Sequence, residues 1–172
     1  LVYQNEHFFE STGGWDTSKI KKINKNTGKV TNFKKLLPKY FGEGITIYDN
    51  KIFQVTWKSK KGFVYDINNF SLLDEFKING QGWGLANDGK SLILSDGSEK
   101  IYFLNPKNFK VEKTISVSLN GNKQMLINEL EFIRGEIWAN IWKSNEIITI
   151  NPLSGRVTNI FDISKISEQK EN

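Results

Sequence analysis

Asn24-Lys-Asn-Thr-Gly28, Asp66-Ile-Asn-Asn-Phe70, Asn105-Pro-Lys-Asn-Phe109 and Asn151-Pro-Leu-Ser-Gly155 are four versions of one turn, and their recurrence decides the fold. Their first residues lie 42, 39 and 46 positions apart. An Asn or Asp opens each turn, where its side-chain oxygen can accept backbone N–H groups two residues on, and Pro106 and Pro152 pre-set φ at the second position. Runs rich in β-branched and aromatic residues precede the turns at 20–23, 62–65, 101–104 and 147–150. Similar runs follow them at 30–33, 72–76, 111–117 and 157–161.

A second hairpin lies upstream of three of these units. Residues 45–48 turn at Asp49-Asn50 into 52–57, residues 84–86 turn at Asn87-Asp88-Gly89 into 92–95, and residues 130–133 turn at Arg134-Gly135 into 137–142. Four short strands repeated about every 40 to 45 residues predict an all-β fold, a β-propeller of four-stranded antiparallel blades. The repeats cover about 1–37, 41–78, 82–119 and 126–163 of a single domain, 1–172, with the first repeat incomplete. An ordinary meander sandwich is the alternative that the same strands allow.

Composition narrows the function classes. The 172 residues, 38% hydrophobic, suffice for one compact body with a real core. There is no cysteine, and His7 is the sole histidine, so neither a disulfide framework nor a zinc site of two or three histidines can be built. Missing cysteine does not fix the compartment. No apolar run reaches the roughly 18 residues of a membrane span, and no basic-then-apolar leader opens the chain. The net charge of +5 raises the question of nucleic acid. Only Arg134 and Arg156 are arginines, however, and the lysines are interspersed with Asp and Glu, as on a solvated surface.

In an antiparallel blade the first strand starts at the end where the second finishes, so these points from every blade share one face of the disc. Starts of first strands carry Glu43, Trp83 and Asn128; ends of second strands carry Thr12, Trp57, Asp96 and Trp142. Two rings of aromatic and polar groups would then surround one mouth of the channel, suited to a small, partly apolar ligand. Taken singly, Trp57, Trp83 and Trp142 read as blade-to-blade packing and Glu43 as an exposed turn carboxylate; their common register is what favours a site. Along its strand Asn128 shares a face with Leu130, with Glu129 and Glu131 on the other. Asp96 reads as part of a Ser-Asp-Gly turn, and Tyr3 and His7 as packing residues of a short strand.

Several uncommon motifs carry a resemblance that runs across essentially the whole chain. Glu10-Ser-Thr-Gly13, Phe41-Gly-Glu-Gly-Ile-Thr46, Thr56-Trp57-Lys58, Gly62-Phe-Val-Tyr-Asp66, Gly82-Trp-Gly-Leu85, Ser95-Asp-Gly97, Asn128-Glu-Leu-Glu131 and Ala139-Asn-Ile-Trp142 occur in this order. In these the chain resembles the plant and bacterial type of glutaminyl cyclase, or glutamine cyclotransferase. The resemblance implies a five-bladed propeller that needs no metal or other cofactor and converts the N-terminal glutamine of peptides to pyroglutamate, releasing ammonia. It implies that Glu43 is the general acid/base, that Phe41, Trp57, Trp83 and Trp142 wall the pocket, and that Asn128 holds the substrate's amide or amine. The implied partners are peptides or proteins with N-terminal glutamine, not nucleic acid or membrane, and the implied location is secreted or periplasmic.

Two family features are missing. A Phe-Thr-Gln-Gly motif would stand just before Leu1, and a further blade would bring a lysine on a Val-Thr-Gly-Lys strand. The chain instead ends on the polar stretch Ser167-Glu-Gln-Lys-Glu-Asn172, which reads as a linker. A piece of a five-bladed enzyme is the expectation, with a peptide-binding propeller lacking activity as the alternative function. A lactone-hydrolysing or calcium-dependent propeller is a third; it would need several converging carboxylates, and the rings offer chiefly Glu43 and Asp96.

Overall fold

Each repeated turn is pinned by its first side chain. Asn24 Oδ1 accepts the N–H groups of Asn26 and Thr27, both at 3.0 Å; Asp66, Asn105 and Asn151 do the same two and three residues on. The fifth residue closes the turn by donating its N–H to the first carbonyl, at 2.8 to 3.0 Å. It does so in the left-handed region, at Gly28, Phe70, Phe109 and Gly155. A non-glycine there is unfavourable, and burial offsets the cost: Phe70 is 1% exposed, and Phe109 stacks on Phe76 at 4.4 Å.

The computed structural model describes residues 1–167; of the polar tail, 168–172 lies outside the described residues. Strands β1 (Val2–Gln4), β2 (His7–Thr12), β3 (Lys19–Asn24) and β4 (Val30–Lys35) form the first antiparallel sheet, in chain order. The second is β5 (Gly42–Tyr48), β6 (Lys51–Thr56), β7 (Lys61–Asp66) and β8 (Leu72–Lys77). The third is β9 (Leu85–Asn87), β10 (Leu92–Ser95), β11 (Lys100–Leu104) and β12 (Val111–Ser116). After a small hairpin, β13 (Ser118–Leu119) and β14 (Asn122–Lys123), the fourth is β15 (Ile127–Ile133), β16 (Glu136–Ile141), β17 (Glu146–Ile150) and β18 (Val157–Asp162). One short helix, α1 (Ser164–Ser167), follows.

These are four blades of a β-propeller. The first repeat, expected to be incomplete, has all four strands, its inner one only three residues long. Three apolar cores lie between successive blades. Phe9 and Ile20 pack with Ile45, Ile52 and Phe63; Phe53, Val55 and Phe76 with Leu85, Leu92 and Leu94; Ile93, Ile101 and Phe103 with Leu130, Ile137 and Ile148. Each blade therefore buries a face against its neighbour, which is what holds successive sheets in a fixed angular step. The inner strands touch in chain order, β1 to β5, β5 to β9 and β9 to β15, and among the described residues no seam of similar extent joins the fourth blade to the first. No helix is long and apolar enough to cross a membrane.

Candidate active site

Two β-bulges place the polar residues. Gly42 faces Thr56 but Ile45 faces Gln54, so Glu43 and Gly44 together oppose one residue of β6. Ile127 faces Ile141 while Leu130 faces Ala139, so Asn128 and Glu129 are bulged at the same place in the fourth blade. A bulge carries an extra residue, bends the strand and re-aims a side chain. The freed N–H groups find partners: Gly44 donates to the Trp83 carbonyl at 2.7 Å and Glu129 to Asn140 Oδ1 at 3.0 Å. In the third blade the equivalent Gly84 donates to Ser95 Oγ at 2.8 Å, and Ser95 Oγ donates to the Asn128 carbonyl at 2.6 Å.

Glycine brings these inner strands together. A Cβ on Gly44 would lie 2.6 Å from the Trp83 carbonyl and closer still to the Leu85 nitrogen; one on Gly84 would run into the Asn128 carbonyl and lie 2.7 Å from the Leu130 nitrogen. Backbone cannot yield as a flexible side chain can, so only glycine allows this approach. The consequence is that Glu43 near the start of β5, Trp83 just ahead of β9 and Asn128 near the start of β15 are brought to close quarters.

They line a cavity of about 300 Å³ together with Phe41, Trp57 and Trp142. The outer walls are set by equivalent backbone bonds, Trp57 N–H to the Phe41 carbonyl at 3.1 Å and Trp142 N–H to the Leu126 carbonyl at 2.9 Å. Phe41 meets Trp57 edge-to-face at 5.5 Å, and Trp83 meets Trp142 in the same way at 5.4 Å. Two supports were not read from sequence. Trp15 packs edge-on against Phe41 at 5.6 Å, and Gln81 Oε1 accepts the Trp83 indole N–H at 3.0 Å. The signal for Gln81 was its place two residues before a register tryptophan; Trp15 sits in a loop whose path no periodicity reveals.

Burial and the nearby Glu129 carboxylate push the Glu43 carboxyl up to about 7. An aromatic-walled cavity disfavours the charged form, and a second carboxylate adds to that. Glu129 does not line the cavity; with Glu131 it faces a separate cleft beside Trp138 and Ile147, and burial raises both carboxyls. Of the expected outer ring, Trp57 and Trp142 reach the cavity while Thr12 and Asp96 close turns. Thr12 Oγ1 accepts the Lys19 N–H at 3.1 Å, and Asp96 is held by Ser98 and, at 3.0 Å, by the Tyr102 hydroxyl. His7 Nδ1 lies 2.7 Å from the Asn5 carbonyl, within its own hairpin. Two larger clefts, of about 520 and 350 Å³, flank Phe109; the first joins Tyr48, Phe53 and Phe109 with Asp49 and Asp74, but neither is lined by a tryptophan or by any residue of the two rings.

The family model described as glutamine cyclotransferase matches residues 1–172. The chain belongs to the glutamine cyclotransferase family. It is 42% identical over 169 residues to a glutaminyl-peptide cyclotransferase of Arabidopsis thaliana, covering 97% of this chain and 53% of that protein. It thus spans about half the length of that relative. Among solved structures it is similar to the glutaminyl cyclase of Myxococcus xanthus, with a TM-score of 0.87 and 29% identity, over 95% of this chain and 69% of the other. A likeness in fold alone extends to the WD40 β-propeller domain of Doa1, with a TM-score of 0.66 at 13% identity.

In this family member the cavity joins one titratable carboxyl, one carboxamide and four aromatic side chains. Such a set can exchange a proton near neutral pH, orient an amide and desolvate a small head group. Among the described residues no three His, Cys, Asp or Glu side chains gather where they could hold a metal ion.

Proposed function

We propose that this chain carries the reaction mouth of a glutaminyl-peptide cyclotransferase, which closes N-terminal glutamine to pyroglutamate and releases ammonia by proton transfer through Glu43, without a metal. The observation that carries this reading is the Glu43 carboxyl, raised to about 7 where it lines an aromatic cavity built on three bulged or glycine-lined strands. The α-amine nitrogen attacks the side-chain carboxamide carbon, a C–N bond forms, and the attacking nitrogen must lose a proton. Glu43, as carboxylate, takes that proton; as carboxylic acid it returns it to the departing NH2 group, which leaves as ammonia. One group serves both steps because its pKa is near the working pH, and such a contribution is on the order of 10² to 10⁴ in rate.

The remaining residues have separate tasks in this reading. Phe41, Trp57, Trp83 and Trp142 hold the glutaminyl side chain folded back on its own amine, which makes an intramolecular reaction fast by geometry alone. Asn128 donates its amide N–H to the carboxamide oxygen as negative charge develops there. The test is ammonia release from a Gln-initiated peptide, compared with an Asn-initiated peptide, with and without a metal chelator. Release from the Gln peptide alone, unaffected by chelator, is expected. No release from folded protein, or release abolished by chelation and restored by metal, overturns the reading.

A further inference from the structure

We infer that the mouth selects peptides bearing a carboxylate just beyond the N-terminal glutamine, and that Lys58 and Lys143 make the selection. The inference rests on the cyclotransferase reading of the cavity and adds the class of peptide that it prefers. Its starting point is a repeated tripeptide, Trp57-Lys58-Ser59 and Trp142-Lys143-Ser144, which occupies the same turn of the second and fourth blades, after β6 and after β16. Lys58 Nζ lies 4.0 Å from the centre of the Trp57 ring and Lys143 Nζ 4.5 Å from that of Trp142. The indole faces hold the ammonium groups in place. Neither lysine lines the cavity and both are exposed, so each charge stands on the rim beside a wall ring.

The charges around them do not cancel. In antiparallel blades the turns after second strands and the connections between blades lie on one face, and here these carry Lys39, Lys58, Lys60, Lys123 and Lys143 against Asp16, Asp96 and Glu99. Asp96 accepts hydrogen bonds from the neutral Ser98 and Tyr102, which leave its charge in place, whereas Glu99 is paired with Lys123 at 2.7 Å. Neither Lys58 nor Lys143 has an ion-pair partner among the described residues. Asp16 and Asp96 are then the remaining carboxylates against four lysines, Lys39, Lys58, Lys60 and Lys143. The rim is therefore net positive around a cavity whose substrate enters by its amino end.

Two consequences follow for a peptide. The positive rim disfavours an incoming ammonium, so the neutral amine, which is the nucleophile, is the form admitted. An extended chain advances about 3.3 to 3.6 Å per residue, and on this proposal the second and third residues follow the glutamine out of the cavity past Trp57 and Trp142. A carboxylate there meets two unpaired ammonium groups; a lysine meets repulsion. Exposed pairs are individually weak and salt-screened, and two together give a preference on the order of tenfold between the charge extremes.

The test uses C-terminally amidated peptides, so that the only carboxylate is the one placed. Binding of pyroglutamyl-Glu-Ala amide and pyroglutamyl-Lys-Ala amide is followed by indole fluorescence, alongside kcat/KM for the corresponding Gln peptides. The Glu peptide is expected to bind about tenfold tighter at low salt, with the ratio shrinking as salt rises. In K58Q/K143Q the ratio should fall to near one, and in K58E/K143E it should invert, a gain that misfolding cannot produce. Equal binding of the two products by the natural protein, or a ratio untouched in both variants, overturns the inference. A carboxylate preference in binding with no turnover of any Gln peptide would sustain the rim and contradict the cyclotransferase reading instead.

Discussion

In the proposed reaction Glu43 is the proton carrier, and its burial has consequences that a rate and a melting curve can both read. With its pKa near 7 instead of the ordinary 4.5, the carboxylate needed to accept a proton forms only as pH rises through neutrality. The acidic limb of kcat/KM should therefore carry a break near 7 in addition to the titration of the substrate amine, and Glu43→Gln should lose the enzyme's break and keep the substrate's; an enzyme break near 4.5 would mean that the titrating group is another. The same shift affects stability with the opposite slope. A carboxyl whose folded pKa is raised binds more protons folded than unfolded between about 4.5 and 7, so folding is favoured at low pH and that contribution is lost as pH rises through this window. Glu43→Gln removes the loss. Its Tm should exceed that of the natural protein by more at pH 8 than at pH 5, and a difference constant with pH would contradict the burial argument.

Strands and turns show which parts of the site sequence could and could not announce. Asn24, Asp66, Asn105 and Asn151 declared their turns because an Asx side chain at that place has a specific hydrogen-bonding task, and the structure shows it done. The register tryptophans were legible for the same reason: a fixed repeat length returns equivalent residues to equivalent places. The bulges at Glu43-Gly44 and Asn128-Glu129 were not legible, because a bulge inserts one residue into a period of two and strict alternation then misstates which side chain faces where. Gly44 and Gly84 were the available sign of close backbone approach. Asn120-Gly121 likewise marked the unread hairpin of β13 and β14. Gly44→Ala and Gly84→Ala should each cost about 1 to 3 kcal/mol, and more if the strands cannot part, with loss of turnover. Denaturant unfolding measures this, and a variant as stable as the natural protein would mean that the inner strands are not held so close.

The whole molecule divides its residues between cores that hold the blades and a mouth that the blades enclose. Leu130, 1% exposed in the core between the third and fourth blades, and Trp142, 45% exposed at the cavity, start within one blade and serve different ends. Leu130→Ala should destabilise by about 2 to 5 kcal/mol, as cavity-forming substitutions do. Trp142→Ala should cost stability no more than about 0.5 to 1.5 kcal/mol, the worth of one aromatic pair, yet weaken peptide binding. Unfolding curves for both, set beside peptide titrations, check the division; equal destabilisation would contradict it. The mouth itself draws on three blades, with Phe41, Glu43 and Trp57 from the second, Trp83 from the third, and Asn128 and Trp142 from the fourth. Whether that assembly cyclises glutamine is decided most directly by ammonia release from a Gln-initiated peptide in the natural protein and in Glu43→Gln, with peptide binding measured in both. Release that falls by on the order of 10² or more while binding persists is the expected result. Equal release from the two proteins would contradict the assignment of Glu43 as the proton carrier.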